Sequence, residues 1–222
     1  LSVAMARLLV VGGSGFIGRA ICRRAVAAGH EVRSVSRSGR PEDAAGRWVD
    51  RVEWTSADLF SPHTWRDRLR SVDAVVHSVG IAHEHPQEGV TFERVNGDST
   101  IITALEAERA GVDTYVFLSS AANYPTARRA YLQSKRRAER AIESLNMETV
   151  VLRPGAVYGP DQPHFPEPFN WLCKLVDSVD PLAERLGEAR PLAVDRVASV
   201  ALDAAVDPEA RLLTVEDIAH PN

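Results

Sequence analysis

A chain of 222 residues, 45% of them hydrophobic, is long enough to bury a sizeable core as one domain with a small appendage. Its 26 basic and 30 acidic residues leave a net charge of -4 and are spread along the chain, which argues against a nucleic-acid or membrane-surface binder. Cys22 and Cys173 stand far apart without ligand spacing, so no disulfide framework or zinc site is indicated and a reducing, cytoplasmic compartment is expected.

The first apolar run, Leu8–Val11, reads as a strand rather than as the core of a leader, with Leu1–Ala4 preceding an expected start at Met5. No apolar run approaches the ~20 residues of a bilayer span. Short aliphatic runs predict parallel strands at Arg7–Val11, Glu31–Ser36, Val52–Thr55, Ala74–His77, Tyr115–Ser119 and Thr149–Leu152, with a weaker one at Leu212–Val215. Apolar residues recurring every three or four positions predict helices over Phe16–Ala28, Pro62–Leu69, Thr91–Ala110, Tyr131–Leu145, Pro168–Val176 and Asp195–Ala205. This alternation predicts an α/β fold, a doubly wound parallel sheet with right-handed crossovers and helices on both faces. The proline-rich stretch "YGPDQPHFPEPFNW" marks the passage to a small cap at about 155–190, within one domain over 1–222. In that cap Trp171, Leu172, Leu175 and Val176 fit a short amphipathic helix.

Spacing decides what the turn "GGSGFIG" can hold. A phosphate-binding P-loop needs a lysine and a hydroxyl where Arg19 and Ala20 stand, and a hydrolase nucleophile elbow around Ser14 needs glycine where Phe16 stands. What remains is Gly12, Gly15 and Gly18 at three-residue intervals between a buried strand and an amphipathic helix, the arrangement that brings backbone amides against a dinucleotide pyrophosphate. Gly12, Gly13, Ser14, Gly15, Phe16, Ile17 and Gly18 are the candidate contacts. A carboxylate at the end of the second strand would hydrogen-bond a ribose 2′-hydroxyl and repel a 2′-phosphate. The chain has none there; Ser36, Arg37, Ser38 and Arg40 offer hydroxyl and guanidinium groups, which predicts NADP(H) in preference to NAD(H).

The glycine turn, "TSADLF", "VVHSVG", "VNGDSTIITALEAERAGVDTYVFLSS", "YLQSK" and "VLRPGAVYGP" together resemble the short-chain dehydrogenase/reductase superfamily, in its extended or atypical branch, over most of the chain. Within it, "VSRSG", "VEWTSADLFSP", "YLQSKRRAE" and "VLRPG" resemble the group of the complex I NADPH-binding accessory subunit and a fungal protein associated with ubiquinone biosynthesis. The resemblance implies cofactor contacts at Asp58, Leu59, Ser78, Val79, Gly80, Asn96, Lys135, Pro154 and Val157. It also implies catalysis by Tyr131 and Lys135 with Ser119 or Ser120: the tyrosine exchanges a proton with the substrate oxygen, the lysine lowers its pKa, and a serine holds the oxygen. The implied activity is oxidoreduction of a carbonyl or alcohol, quinone- or isoprenoid-related, on a small-molecule substrate, with a homodimer common in the superfamily. The alternatives are a non-catalytic NADPH-binding protein that stabilises or senses an assembly, and a sugar-nucleotide epimerase or dehydratase, which the short cap disfavours. The short connection from Ser120 to Tyr131 makes Tyr124 a second candidate hydroxyl. His83 and His85 lack a third ligand, so no metal is expected, and His77 reads as a half-buried structural histidine. The run "KRRAER" reads as the solvated face of its helix.

Overall fold

The computed structural model describes residues 5–121 and 129–221. Seven strands, β1 (Arg7–Val11), β2 (Glu31–Ser36), β3 (Val52–Ser56), β4 (Ala74–His77), β5 (Thr114–Leu118), β6 (Glu148–Leu152) and β9 (Leu212–Leu213), form one sheet in the order β3-β2-β1-β4-β5-β6-β9. Every pairing is parallel. The two-residue period of a strand explains why the aliphatic runs are continuous. Leu8 and Val10 enter the core beneath α1 (Phe16–Ala27) and α6 (Val194–Val206), whereas Leu9 and Val11 enter the opposite one, with Tyr115, Phe117, Ala138 and Ile142. That second layer carries α2 (Ser99–Arg109) and α3 (Arg129–Ile142). Strand order reverses between β1 and β4, so the crevice at their carboxyl ends is the topological switch point where open α/β sheets bind ligands.

Three stretches differ from the sequence expectation. Pro62–Leu69 is not a helix but two 3₁₀ turns, Pro62–Thr64 and Arg66–Leu69, because the Trp65 between them leaves helical geometry to bury its ring and bond the Leu59 carbonyl at 3.3 Å. The helix expected over Thr91–Ala110 opens with a π turn, Glu93–Asp98, whose wider winding turns Asn96 fully inward before α2 begins. The last strand stops at Leu213 because Thr214 caps α7 (Val215–Ala219) through a reciprocal capping box with Asp217.

The region between β6 and α6 holds a separate parallel pair, β7 (Val157–Tyr158) and β8 (Leu192–Ala193), with α4 (Glu167–Asp177) and α5 (Asp180–Arg185) between them. Among the described residues, no helix is long and apolar enough to cross a membrane.

Candidate functional site

The chain leaves β1 through Gly12, whose φ of 86° is left-handed and where an added Cβ would stand 2.8 Å from the Val79 side chain. An added Cβ at Gly18 would run into the Gly12 carbonyl, so only glycine lets α1 pack this close to the turn. Gly13 faces inward, against Ser34 and Cys22, and acts through packing. Gly15 is the N-cap of α1 and supplies no side-chain acceptor, and the first turn of α1 contains no acid. Among the described residues the α1 N–H groups at Phe16 and Ile17 therefore have no side-chain partners, and both residues line the cleft, whereas α7 carries a capping box. An uncapped helix start of this kind fits a diphosphate.

At the end of β2, Ser36 is buried and donates to the Gly39 carbonyl at 3.2 Å. Ser38 donates to the Ser14 hydroxyl at 2.8 Å, joining this loop to the glycine turn. Arg37 is exposed, and among the described residues its guanidinium has no hydrogen-bond partner. Arg40 is instead turned to Asp50 at 2.6 Å, because that carboxylate stands close on the opposite arm of the same loop. Asp58 is exposed and accepts from the Phe60 amide at 3.1 Å, while Leu59 is buried. Sequence reasoning missed Arg19: it donates to the Ser14 carbonyl at 2.7 Å and pairs with Asp43, whose pKa its hydrogen bonds hold down. Only the one-turn spacing from Ser14 signals this brace.

A cleft of about 620 Å³ joins the glycine turn to the ends of β4, β5 and β6. Gly15, Ser78, Gly80, Ser120, Tyr131 and Lys135 all face it. Helix α3 places Tyr131 and Lys135 one turn apart on this side. The Tyr131 ring meets Phe92 edge-on at 5.5 Å, and the Lys135 ammonium donates to the Leu118 carbonyl at 2.9 Å and lies 4.8 Å above the Phe117 ring. Burial pulls the Lys135 pKa down to about 7, opposed by attraction to Glu139 and aided by repulsion from Arg136. Asn96 lies behind the cleft floor: its amide accepts from Ile81 N at 2.8 Å and donates to Ile81 O at 3.2 Å, fixing the Gly80–Ile81 backbone. Ser78 donates to the Val11 carbonyl at 2.9 Å, Pro154 accepts from the Ala121 amide at 2.9 Å, and Val157 is a buried residue of β7 lining the same cleft.

The two serines after β5 part company. The Ser119 hydroxyl donates to buried Glu139, which also receives Arg136 at 2.6 Å and Arg153 at 2.5 Å. Burial would raise the Glu139 pKa, but the hydrogen bonds from Arg153 and Ser119 and both guanidinium charges hold it low. Among the described residues the Ser120 hydroxyl donates to the Ala121 carbonyl alone, at 3.3 Å, while its own carbonyl accepts from Arg136 at 2.8 Å, so this hydroxyl is the better placed of the two to meet a ligand. The "KRRAER" run is thus not simply a solvated face: Lys135 and Glu139 are buried because the carboxyl ends of β5 and β6 offer them polar partners. Tyr124 lies outside the described residues. His77 is fully buried, with its pKa lowered to about 3 by burial and by the Lys135 charge, and it touches Ser99 at 3.3 Å. His85 pairs through its backbone with Val90, and no group of three metal-ligating side chains occurs among the described residues.

Comparison with known proteins gives the site a setting. The model of the NAD dependent epimerase/dehydratase family matches residues 8–171. MIOREX complex component 2 of Saccharomyces cerevisiae is 28% identical over 201 residues, 68% of this chain and 73% of the yeast protein. Ceramide reductase of Caulobacter vibrioides is 30% identical over 159 residues, covering 68% of this chain but only 46% of the reductase. The solved structure of MoeE5 in complex with UDP-glucuronic acid and NAD superposes with a TM-score of 0.67 at 21% identity, over 93% of this chain and 75% of that one, which shows a shared fold.

Proposed function

Because the chain belongs to the NAD dependent epimerase/dehydratase family, we propose that it is an NADP(H)-binding oxidoreductase of the atypical short-chain dehydrogenase/reductase type, acting on a carbonyl or alcohol. The observation that carries this reading is the convergence of Tyr131, Lys135 and the open start of α1 on one cleft. The α1 amides at Phe16 and Ile17 would hold the diphosphate, Arg37 and Ser38 a 2′-phosphate, and Asp58 and Leu59 the adenine edge. When bound, NADPH supplies a hydride. The Tyr131 hydroxyl gives the substrate oxygen its proton, Ser120 hydrogen-bonds that oxygen, and Lys135 favours the tyrosinate from one helical turn away. We read the molecule as one domain with a substrate-side cap at about 155–190, working as a homodimer. Two free, buried cysteines suit a reducing compartment such as the cytoplasm.

The name of the Caulobacter relative supports turnover by reduction. The name of the yeast relative supports a second reading, a non-catalytic NADPH-binding component of an assembly. A nucleotide-sugar substrate is disfavoured by the small cap. Tyr131→Phe separates the first two: it is expected to lower kcat by ~10²-fold or more with NADPH affinity nearly intact, since a positioned acid contributes about that factor. Stopped-flow turnover and an NADPH titration measure both quantities. Unchanged function in the variant would favour the assembly reading.

A further inference from the structure

Helix α4 is amphipathic in the wrong sense for a helix lying on a protein surface. Its inward side carries Asn170, Cys173 and Asp177, one per turn. Asn170 clamps Gly159 through both backbone groups, at 3.0 and 2.9 Å. Asp177 is buried between the Tyr158 hydroxyl at 2.8 Å and the Arg190 guanidinium at 3.2 Å. These bonds fix which way the helix faces. Its outward side is apolar: Trp171 is 64% exposed, Leu172 46% and Leu175 45%, with Phe169 and Val179 at either end of the stripe. A face held outward by buried polar anchors is a feature with a use.

The stripe is continuous with the cleft. Phe169 belongs to both, packed edge-on against Phe165 at 5.0 Å on the cleft wall. At this end Pro163, Phe165 and Phe169 line the cleft beside the polar side chains of Gln162 and His164, and Lys135 is the only lysine or arginine among its described lining residues. Among the described lining residues, the substrate end of the cleft offers no second lysine or arginine to a nucleoside diphosphate. α4 itself has a single cation, Lys174, too little to hold an anionic membrane surface. We propose that the substrate is an uncharged carbonyl compound with a long aliphatic chain, its carbonyl beside Tyr131 and its chain leaving past Phe169 along the outer face of α4. This rests on the oxidoreductase reading above. Hydride adds to the carbonyl carbon as the C=O π bond breaks, the oxygen takes the Tyr131 proton, and the products are the alcohol and oxidised NADP.

The test compares decanal with butanal in the presence of NADPH. Burial of the added methylenes is expected to raise kcat/KM for decanal at least ~10-fold over butanal, and Leu172→Glu to bring the ratio to within ~2-fold. An NADPH titration of the variant checks its fold. Trp171 fluorescence, taken as the difference between the unaltered protein and Trp171→Phe, is expected to shift to the blue on adding decanol, and not in Leu172→Glu. Equal kcat/KM for the two aldehydes, or a decanal preference that survives Leu172→Glu, overturns the proposal. If neither aldehyde is reduced by protein that binds NADPH, the oxidoreductase reading fails, and the fluorescence decides the surface by itself: no shift with decanol overturns the apolar track too. A dimer that Leu172→Glu converts to monomer, or co-sedimentation with phosphatidylcholine vesicles without aldehyde, assigns the face to a second copy or to a membrane and likewise overturns it.

Discussion

Lys135 is the residue whose surroundings bear most directly on chemistry. At 3% exposure its ammonium is held by one carbonyl and one aromatic face, and its pKa falls to about 7. In the unfolded chain a lysine titrates near ~10.4, so between these two values the unfolded state binds more protons and stability rises with pH. Urea midpoints of the cofactor-free protein at pH 7 and pH 9.5 are expected to show this rise, at up to about 1.4 kcal/mol per pH unit, and Lys135→Met to remove it. Parallel pH profiles for the two proteins would show that the lysine is not desolvated as described. The Tyr131–Lys135 pair was legible because a helical pair has a fixed spacing. Glu139 was not, because the groups that hold it, Ser119 and Arg153, come from the ends of two different strands. The same blindness to tertiary partners hid the Arg40–Asp50 ion pair.

Among the elements, α1 shows most plainly how packing creates a binding function. Gly18 brings the helix against the Gly12 carbonyl, and Gly15 leaves its first turn without a cap. Gly18→Ala is expected to push α1 away from the turn, costing about 1–3 kcal/mol by denaturant unfolding and weakening NADPH binding in the same titration. Loss of stability with unchanged cofactor affinity would separate the turn from the ligand. The buried strands were legible from their uninterrupted aliphatic runs, since residues facing either core must be apolar. Pro62–Leu69 was not, because only Trp65 and Leu69 are buried there and the Trp65 indole finds its acceptor outside the segment. The β7–β8 pair is two residues a side and leaves too short a pattern to read.

On the scale of the whole molecule, the order of the sheet places the glycine turn and the start of α3 around one crevice, with the end of β2 joined to that turn through Ser38 and Ser14, so a single ligand would tie three parts of the chain together. A ligand at 100 times its Kd stabilises the folded state by about 2.7 kcal/mol, which for a chain of this size corresponds to roughly 5–10 °C in Tm. Melting curves are expected to show that shift with NADPH and a smaller one with NADH at equal concentration, with Arg37→Asp reversing the order. Equal shifts for both nucleotides in the unaltered protein would count against Arg37 and Ser38 as phosphate ligands. One margin of this sheet is thinly guarded. β9 covers β6 with two residues, and the amides of Val151 and Arg153 reach only the carbonyls of Arg211 and Leu213. Were the chain cut before Arg211, β6 would present a bare ladder of donors and acceptors, and a molecule that closes on itself would gain a template for stacking edge to edge with its neighbours.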